Sequence, residues 1–64
     1  MSMFPVNSSS IRAVGYDGRN LAVQFHTSAT TYIHHGVPEG VFYEFLHASS
    51  MGAYYNRYIR GRYR

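Results

Sequence analysis

Strict alternation marks the middle of the chain. Leu21, Val23 and Phe25 fall on one face of an extended segment, with Ala22, Gln24 and His26 on the other. This predicts a half-buried strand from Leu21 to His26 with the first set toward the core. Before it, Ile11 to Tyr16 is rich in residues that suit a pleated surface, and Asp17-Gly18-Arg19-Asn20 supplies residues that tolerate positive φ, so the two segments are predicted as a hairpin. After it, the polar Thr27-Ser28-Ala29 leads into Thr30 to His34, β-branched and aromatic, a third strand. There Thr31 and Ile33 share one face and Tyr32 and His34 the other; of the inward candidates, Ile33 and Tyr32, the reading favours at least partial burial of Tyr32.

The period changes at His35-Gly36-Val37-Pro38. Proline has a fixed φ and no donor, so it ends a strand and suits a helix start. Glu39 then complements the helix dipole. Val41, Phe42, Phe45 and Leu46 form one stripe while Gly40, Tyr43, Glu44 and His47 face away, the pattern of an amphipathic helix. Ser49 and Ser50 interrupt it and offer an N-cap for a second segment, Met51 to Arg60, whose apolar side is predicted as Tyr55, Tyr58 and Ile59, with Gly61 as its stop. The fold class expected is α+β: a three-stranded antiparallel β-meander followed by two short C-terminal helices packed on one face of the sheet. Residues 1–9, with Pro5, Asn7 and adjacent serines, read as a flexible N-terminal segment of one domain spanning 1–64.

Composition narrows what such a domain does. A chain of 64 residues builds one small core. No cysteine is present, so disulfides and thiolate metal sites are absent, and seven Tyr with four Phe make aromatic packing the expected staple. No basic leader, signal-like apolar run or membrane-length apolar stretch is visible, and the expectation is a cytoplasmic protein with no membrane association. Catalysis needs an acid, base or nucleophile held in a concavity. Asp17 falls in a turn, Glu39 and Glu44 face no second carboxylate, and the serines lie in loop and cap contexts without a nucleophile turn. The domain is read as non-catalytic, with no small-molecule substrate and no cofactor. His26, His34 and His35 invite a metal, but sequence neighbours on a strand point to opposite faces, and no metal site is expected.

The net charge of +3 is unevenly placed, because Arg57, Arg60, Arg62 and Arg64 all lie at the C-terminal end. On a helix Arg57 and Arg60 come near one another at i, i+3, and Arg62 and Arg64 extend the patch. Guanidinium forks bind phosphate and stack on bases, and Tyr54 and Tyr63 offer stacking surfaces beside them. RNA, as tRNA or as a single strand, is therefore one partner expected of this segment. The other is a protein partner or a second copy, since a small meander leaves a sheet edge free to pair. In the solvated alternative the tyrosines pack and the arginine stems cover apolar surface.

Several short motifs, in order, resemble the KTSC domain family, found at the C-terminus of some lysyl-tRNA synthetases and as free-standing bacterial proteins. They are Ser9-Ser10-Ile11, Val14-Gly15-Tyr16-Asp17, Leu21-Ala22-Val23-Gln24-Phe25, the Tyr32 region leading to Val37-Pro38, Ala48-Ser49-Ser50-Met51-Gly52, Tyr55-Asn56 and Ile59-Arg60. The resemblance covers nearly the whole chain. It implies RNA as a partner through the synthetase context, and it draws attention to a Tyr-x-Tyr motif that here reads Tyr32-Ile33-His34. A planar but titratable ring thus replaces the second tyrosine, and Tyr32 and His34 join the candidate binding residues.

Overall fold

A computed structural model describes residues 1–64. Its elements are β1 (Phe4–Pro5), β2 (Ile11–Tyr16), β3 (Leu21–Phe25), β4 (Thr31–His34), α1 (Glu39–Leu46) and α2 (Met51–Tyr54), the last continuing into a π-helical turn, Tyr55–Ile59. The strands form one antiparallel sheet in the order β1-β2-β3-β4. The meander therefore has four strands, not three. Phe4 pairs with Val14 and Pro5 with Ala13, so the segment expected to be flexible is tied to the sheet. A proline without an N–H suits an edge strand, and two residues are too few to show an alternation. Gly15 lets this segment approach: a Cβ there would lie 2.7 Å from the Ser2 carbonyl oxygen.

The β2–β3 hairpin forms where its turn residues place it. Asp17 Oδ1 accepts the backbone N–H groups of Asn20 at 2.7 Å and Arg19 at 3.0 Å, and Gly18 takes φ 96°. These backbone donors, Asn20 first and then Arg19, hold the Asp17 carboxyl below its ordinary value. Farther along the pair, Ile11 faces Phe25 and Ala13 faces Gln24, which leaves Arg12 as the extra residue of a β-bulge. The bulge lets Ile11 and Val14, three positions apart, both bury completely, and it leaves Arg12 exposed.

The helices cover the sheet face that carries Val14, Leu21 and Val23, and the core adds Val37, Phe45, Met51, Tyr55 and Ile59. Phe45 faces inward on α1 with Val41, Phe42 and Leu46 half-buried beside it, while Tyr43 and Glu44 face water. The Tyr16 ring stacks on Phe42 with centroids 4.3 Å apart, and its hydroxyl donates to the Val37 carbonyl at 2.5 Å. Ser50 caps α2 by accepting the Ala53 N–H at 3.3 Å. Gly52 sits against β2's approach, where a Cβ would come within 2.9 Å of Ser10 Oγ.

The C-terminal helix departs from the expected phase. Arg60 N–H donates to the Tyr55 carbonyl, five residues back, at 2.8 Å. This wider turn buries Met51, Tyr55 and Ile59 at four-residue intervals and swings Tyr58, expected on the apolar side, out to 43% exposure. Gly61, with φ 81°, ends the helix as its position implied.

Candidate nucleic-acid interface

The end of β4 is held by two other chain segments at once. His34, on the helix-facing side, is 9% exposed. Its Nδ1 lies 2.9 Å from the Tyr63 carbonyl oxygen and its Nε2 lies 2.7 Å from the Tyr55 hydroxyl. A carbonyl only accepts, so Nδ1 donates to Tyr63, and in that tautomer Nε2 accepts the Tyr55 O–H. The backbone N–H of the next residue, His35, donates to the Arg64 carbonyl. Strand, π-helical turn and C-terminal tail are thereby joined through one imidazole. His34 is a buried strut, and Tyr32, on the same side of the sheet, is the more exposed ring of the pair, partly covered at 44% exposure.

Tyr32 lines a half-open depression of about 290 Å3 with Phe25, Tyr55, Asn56, Arg60 and the Thr27–Ser28 turn. Phe25 meets Tyr32 edge-on at 5.8 Å and Tyr55 edge-on at 5.1 Å, so the three rings brace one another. Burial first, with the Tyr32 hydroxyl adding to it and Arg60 opposing, raises the Tyr55 hydroxyl above its ordinary value and keeps it a neutral donor to His34. Arg60 also reaches Asn56 Oδ1 at 3.5 Å. No carboxylate lines the depression.

The expected arginine patch does not hold together. Arg57 sits over the Tyr58 ring at 5.8 Å and lines a separate depression with Tyr54 and Ser50, whereas Arg60 lines the Tyr32 depression. The π-helical turn separates them, because its extra residue breaks the i, i+3 alignment. Arg62 and Arg64 are exposed in the tail. Tyr63 is half-buried against the core. Of the expected residues, Tyr32 and Arg60 share a surface, with His34 behind it; Asn56, Thr27 and Ser28 belong to that surface and were not marked in the sequence, since polar residues in a turn carry no signal of what they face. No three His, Cys, Asp or Glu side chains converge as a metal site would require, and no helix is long and apolar enough to cross a membrane.

Tyr54 bridges the two helices. Its hydroxyl donates to Glu44 Oε1 at 2.9 Å, and its ring lies 4.7 Å from Tyr58 and 6.0 Å from Phe45. Burial, and then the hydrogen bond to the Glu44 carboxylate, lift this phenol from 10.0 to about 12. A folded-state value above the unfolded one stabilises the fold below pH 10, and that contribution disappears as the pH rises from 10 to about 12. Denaturant unfolding below pH 10 and near pH 12 is expected to show a steeper loss of stability for the parent protein than for Tyr54→Phe; equal losses would remove the bridge from the account.

The chain is similar to known proteins over nearly its whole length. The KTSC domain model matches residues 7–63. A protein of Tsukamurella paurometabola is 42% identical, the alignment covering 97% of this chain and 94% of that protein. The crystal structure of a KTSC domain protein from Yersinia pestis superposes with a TM-score of 0.89 at 37% identity, covering 98% of this chain and 90% of that one.

Proposed function

This chain belongs to the KTSC domain family, and from that premise we propose that it is a small non-catalytic binding module for single-stranded RNA, which it holds at the Tyr32–Arg60 depression. The observation that carries the reading is the pairing of an exposed aromatic ring with a guanidinium in a carboxylate-free hollow. An aromatic face accepts any unstacked base, and a guanidinium beside it takes the phosphate bidentately or stacks on the next base. A duplex keeps its bases stacked and has no use for the ring. The centre of binding is thus the β4 face and not the row Arg57, Arg62 and Arg64, which adds long-range attraction only.

Fluorescence anisotropy with a labelled oligo-uridine and with tRNA tests this. Tyr32→Ala is expected to weaken oligo-uridine binding by about tenfold or more, the value of one base stack, and Arg60→Ala by about tenfold. Affinity is expected to fall steeply between about 50 and about 200 mM salt. Absence of binding at low salt, or unchanged affinity in both variants, overturns the reading.

A second reading rests on β4 as a sheet edge, where Thr31, Tyr32 and Ile33 are all exposed. An extended segment of a protein partner, or of a second copy, would add there as a further strand, with little response to salt. Sedimentation of the free protein distinguishes it: a concentration-dependent dimer supports pairing between copies, and a monomer at all concentrations removes that form of it.

A further inference from the structure

The tip of the β3–β4 hairpin is a ridge with a hollow on each side. Thr27 and Ser28 line the Tyr32–Arg60 depression on the helix side, and the same two residues line a second depression of about 220 Å3 with Arg12, Gln24 and His26. Within that second hollow the Gln24 amide is already engaged, donating to the Ala29 carbonyl at 3.2 Å, and the His26 Nε2 lies 2.9 Å from the Ser8 carbonyl. Arg12 is exposed, and it is the extra residue of the β-bulge that turns it away from the core. Ser28 Oγ accepts the Thr30 N–H at 3.0 Å, which leaves its own O–H free to donate to a ligand. Neither hollow has a carboxylate on its lining.

We propose that a single RNA strand crosses this ridge, one base resting on Tyr32 with its phosphate at Arg60 and the next part of the backbone passing over Ser28 to a phosphate site at Arg12. The inference rests on the RNA-binding reading and extends it to a residue outside the C-terminal segment. A guanidinium on either side of a hydroxyl-bearing turn is the arrangement that a backbone of repeating phosphates needs, and one that a lone anion does not. The bulge then has a use beyond core packing: it supplies a cation at the place where the strand leaves the aromatic platform.

The test compares oligo-uridines of two lengths, a dinucleotide that fills the Tyr32–Arg60 hollow alone and a chain of about ten nucleotides that spans the ridge. Arg12→Ala is expected to weaken the longer oligonucleotide by about tenfold and to lower the slope of log affinity against log salt by about 0.7, with dinucleotide affinity unchanged. Arg12→Lys is expected to recover part of the loss through charge. Arg12 is exposed, and circular dichroism of the variant checks that the fold is kept. If Arg60→Ala weakens binding while Arg12→Ala does not, the path over the ridge is overturned and the Tyr32–Arg60 site stands. An equal loss for both lengths also overturns the path, as general electrostatics. If the parent protein binds neither RNA, both fall.

Discussion

Phe45→Ala is expected to leave the chain without a cooperative unfolding transition at room temperature. Phe45 has no exposed surface and stands at the centre of the contact between α1 and the C-terminal helix, its ring 6.0 Å from Tyr54 and 6.3 Å from Tyr55. Removing a buried phenyl group costs about 3–5 kcal/mol in lost transfer energy and in the void left behind. A domain of this size holds only ~3–5 kcal/mol in total, with no disulfide to add to it. The void is hard to fill, because the neighbouring Tyr54 is fixed by Glu44 and Tyr55 by His34. Phe45→Leu keeps most of the volume, so it should unfold cooperatively with a midpoint lower by about 5–10 °C. Urea and thermal unfolding followed by circular dichroism check both; an alanine variant with the parent midpoint would show that the core lies elsewhere.

Whatever depended on neighbours in sequence was legible from the sequence. The Asp17-Gly18 turn, the inward stripe of α1 and the Ser50 cap each express a local rule and stand in the structure as read, whereas in β3 Leu21 and Val23 face the core as the alternation predicts but Ala22, on the other face, is buried as well. Features that depend on one inserted residue were not legible. The bulge at Arg12 and the π-helical turn at Tyr55–Ile59 each shift the phase of everything beyond them, and an apolar spacing gives no sign of such a shift until the partner is seen. The second shift is why Arg57 and Arg60, neighbours on a regular helix, line two depressions. The burial of His34 was hidden for another reason. It is produced by Tyr63, 29 positions away, whose carbonyl gives a polar ring a partner that hydrophobicity cannot anticipate. β1 escaped notice because it is two residues long and contains a proline. The proposed binding site inherits this division: Tyr32 and Arg60 were visible as residue types, and their meeting was not.

His34→Ala is expected to cost about 2–4 kcal/mol, second only to the loss of Phe45, and its cause can be separated by a double-mutant cycle with Tyr55→Phe. Alanine removes the acceptor of the Tyr55 hydroxyl, and a buried donor without a partner costs about 1–3 kcal/mol. It also removes the donor to the Tyr63 carbonyl and opens a void beside a ring contact of 5.3 Å. Tyr55→Phe alone deletes the hydroxyl and leaves one imidazole nitrogen unpaired, at about 1 kcal/mol. In the double variant no orphaned hydroxyl remains, so the combined loss should fall short of the sum of the two single losses by about 1 kcal/mol or more. Additive losses would mean that the two side chains merely pack. Hydrogen exchange at the His35 amide gives a second readout, since its acceptor, the Arg64 carbonyl, is kept in place by the neighbouring bond from His34 to Tyr63. Exchange there should quicken in His34→Ala more than in Tyr55→Phe, because only the first releases the tail. The same comparison bears on binding. Tyr55 braces Phe25, and Phe25 braces Tyr32, so under the proposed RNA-binding function a loosened His34 should weaken the oligo-uridine affinity at Tyr32 without touching the ligand. Tyr55→Phe, which keeps the ring and its edge contacts, should leave that affinity near the parent value.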